Sequence, residues 1–137
     1  MIDLVIGSKV RTKAPPVNTF ELVTTGMSGD GDYDEENSLF GDHDIIVKWI
    51  EILNAVSAMG WNARCGNDDG VYEVVRAKAL EIGIEANIAE DTYSDMVGSD
   101  IFCDGQRAML TGVEVFWYNA NGEKFNVEVK GLIDPHD

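Results

Sequence analysis

Basic residues are what this chain has least of. Its 137 residues include 10 lysines and arginines against 25 aspartates and glutamates, for a net charge of −15. Residues 14 to 47 hold no lysine or arginine at all, yet carry Glu21, Asp30, Asp32, Asp34, Glu35, Glu36, Asp42 and Asp44. A surface this negative repels nucleic-acid phosphates and anionic lipid headgroups, so neither direct nucleic-acid binding nor membrane binding is expected. Cysteine is equally sparse. Cys65 and Cys103 stand alone without a CxxC spacing, which excludes a sequence-legible zinc ligand set or disulfide framework and points to reduced thiols in the cytoplasm. No apolar run approaches the ~20 residues of a membrane span. Met1-Ile2-Asp3 does not begin a secretory signal. The histidines are His43 and His136, and neither lies in a recognisable catalytic motif.

What is present describes a folded domain. The apolar fraction of 45 % is that of a globular protein, and a chain of this length buries roughly two-thirds of its unfolded surface. The segment Met1–Thr12 alternates weakly, with Ile2, Leu4 and Ile6 on one side of a strand, and Phe20–Thr25 reads as a second strand. Gly26–Asp34, with three glycines and three aspartates, reads as a loop. A helix follows, capped by Asp42, with Ile45, Trp49, Ile52, Leu53, Val56 and Met59 at three- and four-residue steps and Gly60 at its end. Asp68 or Asp69 caps a second helix that runs through Ile82 to Gly83. Ala89–Val97 fits a short helix or an irregular excursion, and Ile101–Leu110 a strand bent at Asp104-Gly105.

The C-terminal part is β. Val113–Tyr118 and Lys124–Lys130 flank Asn121-Gly122, a hairpin signal. The first of these strands is apolar or aromatic on both faces, as a central strand or one at a subunit contact would be. The pattern predicts a single α+β domain over residues 1–137: an antiparallel sheet, two central helices packed on one face, and a C-terminal β-hairpin.

The charged segments invite three chemical readings. Asp30, Asp32 and Asp34 have the 1, 3, 5 spacing of a calcium loop, but Glu35 stands where its glycine belongs and Gly41 where its bidentate glutamate belongs. Gly26, Gly29 and Gly31 follow a strand as in a phosphate cradle, but in the order GxxGxG, without a lysine and among aspartates. His43, between Asp42 and Asp44, has no evident catalytic partner, because adjacent helix positions point apart. No catalytic residue, metal ligand set or cofactor is assigned, and an enzyme is not the expected class.

A binding surface remains. The expected contact residues are Asp30, Asp32, Asp34, Glu35, Glu36, Asp42 and Asp44, facing a basic protein surface of the kind that handles nucleic acid. A second base-free stretch, Ala79–Gln106, carries Glu81, Glu85, Glu90, Asp91, Asp95, Asp100 and Asp104 and could extend that face. Lys9, Arg11 and Lys13 form the one dense basic stripe; they are expected to pair with the chain's own acids or with a second subunit of a homodimer. In size, charge and lack of a catalytic motif the chain resembles the small acidic proteins with which phages block host defence complexes. The resemblance lies in composition alone and carries over no residue. It implies a stoichiometric inhibitor that mimics nucleic acid. Two alternatives stay open: a nucleotide-type small-molecule binder using the glycine-rich loop with Trp117 or Tyr118, and a metal-assisted enzyme built on the Asp30–Asp34 loop.

Overall fold

A computed structural model describes residues 2–10, 16–27, 34–60, 68–97 and 109–132. The chain begins with two strands, β1 (Asp3–Val10) and β2 (Thr19–Met27), and a third, β3 (Asp34–Gly41). Among the described residues three helices follow: α1 (His43–Ser57), α2 (Asp68–Ile82) and α3 (Ala86–Val97). Strands β4 (Met109–Tyr118) and β5 (Lys124–Lys130) close the order. The five strands form one antiparallel sheet in the order β1-β5-β4-β2-β3. The expected α+β plan and C-terminal hairpin are therefore present, and β4, apolar on both faces, is the central strand.

Register sets the two faces of the sheet. Phe20 stands opposite Trp117 and Leu22 opposite Val115, while Val115 stands opposite Val127. Directly opposed residues of an antiparallel pair share a face, so these side chains line one side, and that side receives the helices. Leu22, Ile46, Ile50, Ile52, Leu53 and Val56 are essentially inaccessible to solvent and belong to one core cluster. Each such side chain stabilises the fold by about 1.5–3 kcal/mol relative to exposure. Helices α1 and α3 lie against β2 and β3, and α2 packs on both of them. The buried hydroxyl of Thr24 donates to the Met96 carbonyl at 2.6 Å, tying the last turn of α3 to β2. The third helix settles the segment that in sequence fitted either a short helix or an excursion.

Local chemistry explains the element ends. Asp42 adopts an extended conformation (φ −77°, ψ 177°) and its Oδ1 accepts the Ile45 amide at 2.9 Å, satisfying an otherwise unpaired donor in the first turn of α1. Gly60, beyond the helix end, has φ 80°, the left-handed conformation its position in the sequence suggested. In the hairpin the Gly122 amide bonds the Asn119 carbonyl at 3.0 Å, and Gly122 has φ 78°. Asn119 Oδ1 also accepts the amides of Asn121 and Glu123, each at 2.9 Å. This is a turn closed by a left-handed glycine. Asn121 does not share the positive φ that a two-residue Asn-Gly turn requires.

Strand β3 departs from the sequence expectation. The loop read over Gly26–Asp34 is shorter at both ends, because Gly26 pairs with Glu35 and Met27 with Asp34. Residues 28–33, including Asp30 and Asp32, lie outside the described residues, as do the bend at Asp104-Gly105 and most of the strand expected over Ile101–Leu110. An edge strand needs pairing on one side only and is commonly protected by charge. That accounts for a strand of sequence DEENSLFG, in which Leu39 is the apolar residue on the helix-facing side.

Candidate functional site

The acidic residues of the first base-free stretch occupy one margin of the sheet. Asp34, Glu35 and Glu36 fall on β3, in register with Met27, Gly26 and Thr25. The chain then turns through Gly41 into α1. A Cβ at Gly41 would lie 2.0 Å from Ile45 Cγ2, so glycine allows the strand end to meet the first helical turn. Asp42 is exposed but occupied as the helix cap. Asp44 is exposed in the first turn, its side chain 90 % accessible, where a carboxylate also suits the helix dipole. His43 Nδ1 lies 3.6 Å from Asp44 Oδ1, and its ring meets the edge of Phe20 at a centroid distance of 6.0 Å.

The second base-free stretch comes to the same margin. Helix α3 buries Ala89, Tyr93 and Met96 and packs against β2 and β3, leaving Asp91 and Asp95 exposed. Glu90 is neutralised by Arg76 at 3.2 Å, and Glu81 pairs with Lys78 at 3.1 Å. Of the residues expected to form the binding face, Asp34, Glu35, Glu36, Asp42 and Asp44 thus lie on β3 and the start of α1. Asp91 and Asp95 are exposed on α3, the helix that packs against β2 and β3. Asp100 and Asp104 are outside the described residues.

The face of the sheet opposite the core holds a polar network around Glu21. Tyr118 Oη donates to Glu21 Oε1 at 2.7 Å, and Ser38 Oγ donates to Oε2 at 2.9 Å. Lys124 Nζ stands 4.0 Å from the same carboxylate and 4.1 Å from the Phe116 ring centroid. Burial pushes the Tyr118 phenol well above its ordinary range, and the hydrogen bond to Glu21 and that residue's charge push it further. Each polar group in this network has a partner, so the network fixes β2, β3 and β4 against one another. Phe40, the next residue on this face of β3 after Ser38, remains 49 % exposed with its ring 6.4 Å from Tyr118.

Neither Phe40 nor the Glu21 network was singled out from the sequence. Their signal was the two-residue alternation of Ser38 and Phe40, visible only once β3 is recognised as a strand. Trp117 and Tyr118 point to opposite faces, Trp117 packing on Phe20 at 4.7 Å. Lys9 pairs with Glu123 across β1 and the hairpin, one of the internal pairings expected for the basic stripe. Among the described residues no three histidine, cysteine or acidic side chains come together in a metal-binding arrangement, and no helix is long and apolar enough to cross a membrane. Comparison of the chain with protein-family models, with curated proteins and with solved structures returned no match.

Proposed function

We propose that this is a stoichiometric binding protein whose acidic sheet margin, formed by β3, the first turn of α1 and the exposed side of α3, engages a basic protein surface. The observation that carries the reading is the meeting of two base-free stretches, far apart in sequence, at β3. Phe40, on the face of β3 turned away from the helices, adds an exposed aromatic side chain at the edge of that margin, of the kind that dominates binding energy when surrounded by polar contacts. The carboxylates would meet lysines and arginines that otherwise hold phosphates, which makes the protein an inhibitor of a nucleic-acid-handling partner, as an anti-defence protein of a phage would be.

Tagged protein captured from its native cells, with the bound material identified by mass spectrometry, tests the class of partner. With that partner in hand, affinity should fall as salt screens the contact. A variant carrying Asp34→Asn, Glu35→Gln, Glu36→Gln and Asp44→Asn should bind at least tenfold more weakly. A charge-matched control carrying Asp3→Asn, Glu51→Gln, Glu73→Gln and Glu128→Gln, all outside both base-free stretches, should bind nearly as well as the parent. Equal losses in the two variants would show that net charge, not this margin, drives association.

A further inference from the structure

A cleft opens where β4 and β5 part. Their ladder runs from Tyr118 opposite Lys124 to Val115 opposite Val127 and ends there, although both strands continue. Beyond that point β4 stays paired with β2 and β5 with β1. The opening measures about 340 Å³, within the range of small-ligand sites. Val113, Val115, Val127, Val129 and Leu132 line it, and all five belong to or pack against the core cluster.

The register explains why the strands separate at this level. One step past Val115 and Val127, a continued ladder would set Glu114 opposite Glu128. Like charges directly opposed across a strand pair are destabilising. Both glutamates are exposed, both line the opening, and alternation places both on the face opposite the valines. Among the described residues, no basic side chain lines the cleft. The opening is therefore apolar on the core side and doubly negative at its outer mouth.

We propose that this cleft binds a small organic cation, an ammonium group on a short apolar chain. The ammonium sits between Glu114 and Glu128, relieving their repulsion, and the hydrocarbon lies against the four valines. A phosphate-bearing ligand is disfavoured by the same two charges.

Titration of the 15N-labelled 137-residue chain with n-hexylammonium chloride, followed by NMR, tests the site, with n-hexanol, sodium hexanoate and sodium chloride as comparisons. Saturable shifts of the amides of Val113–Val115 and Val127–Val129 are expected with the ammonium, weaker ones with the alcohol, and none with hexanoate or salt. Glu114→Gln and Glu128→Gln should each weaken the ammonium about two- to fivefold, the range of a partly exposed ion pair, and leave the alcohol unchanged. Absence of saturation at these amides, hexanoate binding as well as the ammonium, or ammonium affinity indifferent to both substitutions would each overturn the proposal. The comparison among ligands on the parent protein keeps the test decisive even where a variant fails to fold.

Discussion

Replacing Tyr118 with phenylalanine tests the Glu21 network through a pH signature that packing alone cannot produce. The substitution keeps the ring, which is 5 % exposed, and removes the hydroxyl that donates to Glu21 Oε1 at 2.7 Å. Hydrogen bonds to charged groups contribute about 1.5–3 kcal/mol, so Tyr118→Phe should cost about 2 kcal/mol at pH 8, with Ser38 and Lys124 retaining part of the stabilisation of the carboxylate. The difference should then shrink in alkali. Burial and the Glu21 carboxylate raise the folded-state phenol pKa, while in the unfolded chain it stays near ~10. Above that value the unfolded state releases a proton that the folded state keeps. The parent's stability therefore falls with rising pH, by about 1.4 kcal/mol at pH 11 from this group alone. The phenylalanine variant shares every other titration and lacks this one. Urea unfolding followed by circular dichroism at intervals from pH 8 to 11, comparing parent and variant under each condition, measures the difference directly. A gap of about 2 kcal/mol that narrows to under about 1 kcal/mol by pH 11 is the expected result. A gap that stays constant would refute the reasoning, since it would mean that the hydroxyl is neither desolvated nor bonded to a carboxylate.

Three further outcomes follow from named contacts. Asp42→Ala should lower stability by about 1 kcal/mol through loss of the α1 cap, whereas Asp42→Ser should retain most of it; equal losses in chemical denaturation would remove the capping role. Gly41→Ala should cost about 1–3 kcal/mol because the new methyl collides with Ile45, and a Gly41→Ala/Ile45→Ala double variant should be more stable than the sum of the two single losses predicts. Glu123 is held below the usual carboxylate range first by its hydrogen bond from Lys9 and then by that from Asn119. Its folded-state pKa is depressed, so its stabilising contribution is present above the ordinary carboxylate range and is lost as pH falls through the folded value. Thermal melts of the parent and of Glu123→Gln should accordingly differ at neutral pH and converge in acid.

Much of the fold was legible as period and punctuation. Helix α1 announced itself through Ile45 to Met59 with Asp42 and Gly60 at its ends, because three- and four-residue spacing and capping chemistry are local properties of the chain. The hairpin was equally local, although the structure closes it with a left-handed glycine alone. Strand β3 was hidden for a physical reason: an edge strand is stabilised by its neighbour's backbone rather than by two apolar faces, so its own side chains need not alternate clearly. Helix α3 was half-legible, since its buried face is made of Ala89, Tyr93 and Met96, a weak apolar signal in a polar segment.

The sequence by itself determined the excess of negative charge, the positions of its two base-free stretches, the two-sided apolar character of β4 and the absence of a recognisable catalytic motif. Tertiary structure alone decided that α3 brings the second acidic stretch to β3. It also decided that Glu21, Ser38, Tyr118 and Lys124 meet on one face, and that Glu114 and Glu128 flank the point where β4 and β5 part. Charge and period are carried by each segment separately, whereas strand order and register depend on pairings between residues far apart in sequence, as between Thr19 and Tyr118 or Asp3 and Lys130. Those pairings set which charges become neighbours.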